Sequence, residues 1–147
     1  PFILVSASLS KDADTAGAEV LLPVVDAWST KIEAGSLEAI NAVDSDLFTR
    51  WGSDWTDDES LSLDLGAVRT VSALTLYWEM AYAKEYCVET STDKETWTIA
   101  AQKSDGLGNI EFLSFPPTEA RYLRIRGIRR ATEWGYSLFE VFVYGKK

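Results

Sequence analysis

Arg126-Gly-Ile-Arg-Arg-Ala-Thr-Glu-Trp-Gly-Tyr-Ser-Leu-Phe-Glu-Val-Phe-Val-Tyr-Gly145 runs from a charged, aromatic stretch straight into a segment whose apolar residues recur with a period of two. That period belongs to a half-buried β-strand, here over Ser137 to Tyr144. The residues before it cannot all be core, because Arg129, Arg130, Glu133, Trp134 and Tyr136 form the densest charged and aromatic cluster in the chain. The stretch reads as a binding loop mounted on a strand.

The same period recurs on the N-terminal side of this stretch. Leu61, Leu63 and Leu65 alternate with Ser62 and Asp64, Gly66-Ala-Val-Arg reads as a turn, and a strand is expected over Thr70 to Glu79. Further strands fit Glu85 to Ser91, Thr96 to Gln102, Ile110 to Phe115 and Arg121 to Arg126. Thr92-Asp-Lys-Glu, Ser104-Asp-Gly-Leu-Gly and Phe115-Pro-Pro-Thr carry turn-forming residues and are expected to break them. Short strands at this spacing, with no helical pattern between them, predict an all-β chain folded as an antiparallel β-sandwich.

A chain of 147 residues, 46% hydrophobic and 25% charged, fits one ordinary globular domain. The net charge of −9, from 23 Asp and Glu against 14 Lys and Arg, argues against nucleic acid and anionic membrane surfaces, whose binders need a basic footprint. No apolar run is long enough to cross a bilayer. The chain starts at Pro1 rather than Met, which reads as a processed or excised piece. Cys87 is alone, so no internal disulfide forms, and Tyr86-Cys-Val-Glu-Thr reads as a strand that buries it. The absence of His removes Ser-His, Cys-His and His-based metal chemistry. Paired carboxylates remain as a catalytic option, with Glu33 and Glu79 as the pair.

Three motifs, Ala42-Val-Asp-Ser-Asp-Leu-Phe-Thr-Arg-Trp-Gly-Ser-Asp-Trp55, Leu76-Tyr-Trp-Glu-Met-Ala-Tyr-Ala83 and the stretch quoted first, stand in an order that resembles the discoidin, or coagulation factor 5/8 type C, domain. The similarity is to the bacterial branch of family 32-like carbohydrate-binding modules and covers roughly residues 24–147. It implies a jelly-roll sandwich of the galactose-binding-domain type. Residues 1–23 fit less well: Ile3 to Leu9 and Val20 to Pro23 could each be a strand, and the arm reads as an extra strand or as the tail of a preceding domain.

Asp44, Asp46 and Thr49 crowd a polar turn of the kind that supplies oxygen to Ca²⁺, although an Asx-type turn without metal explains the same residues. The resemblance implies one structural Ca²⁺ there. Asp44 and Glu140 would give side-chain oxygens, and Asn41, Asp46, Thr49 and Phe139 mainly backbone oxygens. Ser45 stands where the family turn carries glycine.

The resemblance also implies a ligand site in the loops at one end, formed by Glu33, Arg50, Glu79 and Tyr136. The alternation adds its own argument. Leu74, Leu76 and Trp78 form the buried set, so Glu79 is expected at a loop rim, followed at once by Met80 and Tyr82. Trp55, Arg130 and Trp134 complete the candidate ligand-binding set, while Trp51 and Trp97, and less strongly Trp28 and Trp78, read as core. The implied function is non-catalytic recognition of an oligo- or polysaccharide by a module tethered to other domains of a larger glycan-degrading protein, secreted or cell-surface. Loops at the end of such a sandwich are too shallow to exclude water, which argues against catalysis. The alternative is a discoidin-type adhesion module for a protein or phospholipid head group. The acidic and mixed loops favour the sugar, and two carboxylates leave both a cationic amino sugar and a neutral glycan open.

Overall fold

The computed structural model describes residues 19–147. It consists of strands β1 (Val20–Leu22), β2 (Asp26–Ser29), β3 (Trp51–Gly52), β4 (Ser60–Trp78), β5 (Ala83–Ser91), β6 (Thr98–Lys103), β7 (Ile110–Arg130) and β8 (Ser137–Lys146), with one 3₁₀ turn at Ala39–Ala42. The strand expected over Ile3 to Leu9 lies outside the described residues. Val20–Leu22 pairs antiparallel with the end of β8. No helix among the described residues is long and apolar enough to cross a membrane.

Two long strands build both layers. The first part of β4 pairs with β2 on one side and with residues 122–126 of β7 on the other. Its second part pairs with β8 and with residues 110–120 of β7. One layer therefore runs β2, β4, β7, β5, β6, and the other runs β1, β8, β4, β7, with β3 on β8. Their inward residues, among them Leu61, Leu63, Tyr86, Val88, Leu123, Leu74, Leu76, Leu113, Leu138 and Val143, form one buried cluster. Each such aliphatic side chain contributes about 1.5–3 kcal/mol relative to exposure. The molecule is an antiparallel β-sandwich of jelly-roll type.

The crossing point corrects the sequence reading. The turn expected at Gly66 to Arg69 and the break expected at Phe115 to Thr118 are both bulges inside continuous strands. Gly66 takes a left-handed φ of 82°, while Asp64 accepts its N–H at 2.7 Å and the Arg121 Nε–H at 2.9 Å. Opposite, the register jumps from Val71 with Thr118 to Ala73 with Ser114, passing over Pro116 and Pro117. Proline has no N–H for the ladder, so the pair bends here instead of ending. Turn residues marked a corner of the sandwich rather than a strand boundary.

Trp97, expected in the core, is only half-buried, with the Arg124 guanidinium stacked 4.0 Å from its ring centroid. Trp51 and Trp78 are buried as expected, Trp28 is half-buried, and Cys87 is buried with its thiol pushed up by burial.

Candidate functional site

At one end of the sandwich three loop segments are laced together through their backbones. The Ser53 N–H donates to the Tyr136 carbonyl at 2.8 Å, and the Tyr136 N–H donates to Ser53 Oγ at 2.8 Å. The Ser137 N–H donates to the Ala81 carbonyl at 2.8 Å and the Glu79 N–H to the Ser137 carbonyl at 2.9 Å. Gly135 allows this approach, because a Cβ there would lie 2.4 Å from the Asp54 carbonyl oxygen.

The laced loops enclose a cleft of about 220 Å³ lined by Glu33, Arg50, Trp55, Glu79, Trp134 and Tyr136, with Met80 on its edge. Six of the eight ligand residues named from sequence thus meet in one place. The two carboxylates are held differently. Glu33 Oε1 accepts the Trp55 indole N–H at 2.8 Å, and Glu79 Oε1 accepts the Ala81 N–H at 3.1 Å. Glu79 follows the last residue of β4, where the alternation turns it out of the core. Neither carboxylate forms an ion pair with a described cation. Arg50 is not paired with a described carboxylate; its Nη1–H donates to Ser137 Oγ at 2.8 Å. Trp55 and Trp134 are 49% and 41% exposed. The cleft therefore offers two carboxylates outside any described ion pair, one guanidinium and two indoles.

Three expected residues sit differently. Tyr136 is not at a rim: it is 2% exposed, packs against Gly127, and its hydroxyl donates to the Asp57 carbonyl at 2.7 Å. Burial, with the Asp57 charge adding to it, pushes its phenol well above the ordinary value. The charged and aromatic cluster and the resemblance had put Tyr136 in a binding loop, but the residue before β8 already lies on the inward side. Arg130 lies outside the cleft because its guanidinium is used in the loops behind it, on Asp57 Oδ1 at 2.8 Å and on the carbonyls of Trp55 and Glu133, each at 3.0 Å. That contact holds the Asp57 carboxyl below its ordinary range. Tyr82 lines a neighbouring recess rather than the cleft. Ser53, Gly135 and Ser137, which hold the loops in place, escaped the sequence reading; the small residues flanking Trp51-Gly52 and Trp134 were the only signal.

The polar turn at 41–49 shows an excess of acceptors. Thr49 Oγ1, with a single hydrogen, has Asp44 Oδ2 at 2.5 Å, the Asp46 carbonyl at 3.1 Å and the Asn41 carbonyl at 3.4 Å. Glu140, 2% exposed, reaches the turn from β8: its Oε2 accepts the Ser45 N–H at 3.1 Å, and its Oε1 is buried with no partner. Burial pushes the Glu140 carboxyl up to about 7, the Asp44 charge adding to the rise against the Ser45 hydrogen bond. An orphaned buried carboxylate oxygen beside clustered carbonyls suits a hard cation with oxygen ligands. Among the described residues no three acidic, His or Cys side chains converge as a complete centre, so carbonyls and the hydroxyl would have to complete the set. Ser45 takes the left-handed φ of 64° that explains a preference for glycine at its position. The Phe139 side chain lines the recess beside Tyr82.

No curated protein matches the sequence. Among solved structures, a mutant of chitosan-binding module 1 from a chitosanase/glucanase of Paenibacillus sp. IK-5 is 37% identical, with a TM-score of 0.79 over 82% of this chain and 93% of that one. Chitosan-binding module 2 of the same enzyme, solved in complex with chitotriose, is 33% identical, with a TM-score of 0.79 over 84% of this chain and 98% of that one. The family 32 carbohydrate-binding module of NanJ from Clostridium perfringens, in complex with galactose, shares the fold at 24% identity, with a TM-score of 0.75 over 86% of this chain and 98% of that one. The family model for the F5/8 type C domain matches residues 25–142. By that match and by its likeness to the two Paenibacillus modules, this chain belongs to the F5/8 type C domain family.

Proposed function

We propose that this domain is a non-catalytic carbohydrate-binding module whose cleft holds an oligosaccharide of cationic amino sugars, glucosamine oligomers being the first choice. The observation that carries the reading is the pair Glu33 and Glu79, two carboxylates in one cleft, neither in an ion pair with a described cation, against the single guanidinium of Arg50. A carboxylate about 4 Å from an ammonium gains about 1 kcal/mol in bulk water and about 4 kcal/mol in a partly desolvated site. Exposed Trp55 and Trp134 offer flat apolar faces to pyranose rings, and Arg50 offers donors to ring hydroxyls. The likeness to modules named for chitosan supports the same ligand class.

Binding without catalysis follows from the cleft's openness to water. The half-exposed indoles on its walls leave a bound sugar solvated, where general acid and base carboxylates lose most of their advantage. The module serves a larger glycan-degrading protein by raising the local concentration of a tethered catalytic domain on its polymer. That role places it outside the cell or at its surface. One Ca²⁺ held by Asp44, Asp46, Thr49, Glu140 and neighbouring carbonyls neutralises the carboxylates there and ties the turn to β8. The adhesion alternative is weaker, because the net charge of −9 and the carboxylates Glu33 and Glu79 in the cleft disfavour an anionic membrane surface.

The test is calorimetric titration of the domain with a glucosamine trimer, repeated on Glu33→Gln and Glu79→Gln. Saturable binding by the parent, weakened by each substitution with an unchanged melting temperature, is the expected result. No heat with the parent domain, or equal affinity in both variants, contradicts the assignment.

A further inference from the structure

Next to the cleft, across Glu79 and Met80, lies a second recess of about 540 Å³ walled by Tyr82, Leu107 and Phe139. The two depressions share Glu79 and Met80 as a common ridge. Resting on the sugar-binding reading above, we propose that this recess is an extension subsite that takes further pyranose units of the same saccharide chain through apolar contact.

The wall is built to stay in place. Its outer side is the loop 104–109, and four backbone contacts pin that loop. The Gly106 N–H donates to the Lys84 carbonyl at 2.8 Å, and the Leu107 N–H donates to Glu111 Oε2 at 3.0 Å. The Trp78 N–H donates to the Asn109 carbonyl at 2.8 Å. Gly108, with φ of 73°, packs against the Tyr82 ring, where a Cβ would stand 2.9 Å from the nearest ring carbons. Glu111 itself is buried and uses its other oxygen on the Trp78 indole and the Tyr86 hydroxyl, each at 2.8 Å. A buried carboxylate committed to three donors, one of them this loop, is an anchor rather than a surface ornament.

What the anchored loop displays is apolar. Leu107 is 70% exposed, and Met80, which lines the same recess from the segment after β4, is 74% exposed. Large apolar side chains held open on a fixed loop do not serve the core; gathered at one spot they mark a contact surface. Among the recess residues only Glu79 carries a charge, and it belongs equally to the cleft. The chemistry therefore changes along the path: carboxylates and a guanidinium in the cleft, then aliphatic and aromatic faces beyond Glu79. A sugar chain matches that sequence, because each pyranose carries apolar C–H faces as well as polar edges. Continuity across the shared ridge favours this occupant over a separate ligand.

Chain length is the readout. The parent domain is titrated with glucosamine trimer and hexamer, and the same titrations are run on Leu107→Ser and Leu107→Arg, which alter only an exposed side chain. The parent should bind the hexamer about tenfold more tightly than the trimer, the gain expected from one more apolar ring face. Both variants should keep the trimer affinity and lose most of the hexamer advantage, Leu107→Arg more completely because it repels the ammonium groups. Equal affinity for trimer and hexamer in the parent, or an undiminished hexamer advantage in both variants, overturns the extension subsite while leaving the cleft assignment intact. Failure of the parent to bind the trimer at all contradicts the sugar-binding reading itself.

Discussion

The Tyr136 hydroxyl donates a 2.7 Å hydrogen bond to the Asp57 carbonyl, so a buried phenol fastens the loop after β3 to the loop before β8. Arg130 adds a second fastening to Asp57, Trp55 and Glu133. The two exposed indoles, Trp55 and Trp134, each ride on one of these tied loops. Recognition groups are mobile in most loops; here their mounts are part of the core.

Tyr136 is accordingly a positioning residue with a stability role. Tyr136→Ala should cost about 3–5 kcal/mol, the usual figure for emptying a buried aromatic site, whereas Tyr136→Phe should cost about 1 kcal/mol for the lost hydrogen bond. Denaturant unfolding of both variants measures this. An unfolding midpoint unchanged in Tyr136→Ala would return the residue to the rim.

Glu79→Ala behaves in the opposite way. Its side chain accepts the Ala81 N–H and otherwise lines the cleft and the neighbouring recess. We expect roughly tenfold weaker binding of a glucosamine trimer, equivalent to about 1.4 kcal/mol, and a midpoint within about 0.5 kcal/mol of the parent. A large loss of stability would make Glu79 a structural residue.

Gly135→Ala should damage both properties together. The added methyl would meet the carbonyls of Ser53 and Asp54 at 2.5 and 2.4 Å. Ser53 lines the cleft and Asp54 precedes its Trp55, so relief of the clash opens it, at a cost of about 1–3 kcal/mol for overpacking. Normal affinity in a correctly folded Gly135→Ala protein would show that the lacing does not shape the site.

For the cation turn, Ca²⁺ at about one hundred times its dissociation constant should stabilise the domain by about 2.7 kcal/mol, and chelator should remove that gain without unfolding the protein. Glu140→Gln keeps the shape of the side chain but not its charge, and should abolish the response to Ca²⁺. Scanning calorimetry with excess Ca²⁺ and with chelator reads the effect. Identical melting temperatures in the two conditions would leave a metal-free turn.

Much of this was legible from residue pattern. The period of two in Leu61 to Leu65 and Ser137 to Tyr144 predicted strands that the fold contains, and the three motifs pointed to the family and its sandwich. The corners were not legible, because Gly66 and Pro116-Pro117 look alike in sequence whether the chain turns back or bulges and continues. Side-chain direction at strand ends was likewise ambiguous: Glu79 follows its strand and faces the cleft, whereas Tyr136 precedes its strand and faces the core. Trp97 read as core by its aromatic bulk, yet β6 is the last strand of its layer and leaves that face to Arg124. The recess wall at Leu107 was hidden in a stretch that composition marks only as a turn.

If the two carboxylates select a cationic sugar, N-acetylation, which removes the ligand's charge while keeping its ring, must weaken binding. Glucosamine trimer and its N-acetylated counterpart should be titrated into the domain at low and high salt. The unacetylated trimer should bind more tightly and clearly lose affinity as salt rises, since partly exposed charges are screened over about 10 Å at 0.1 M. Tighter binding of the acetylated trimer, or an affinity indifferent to salt, would contradict that selection.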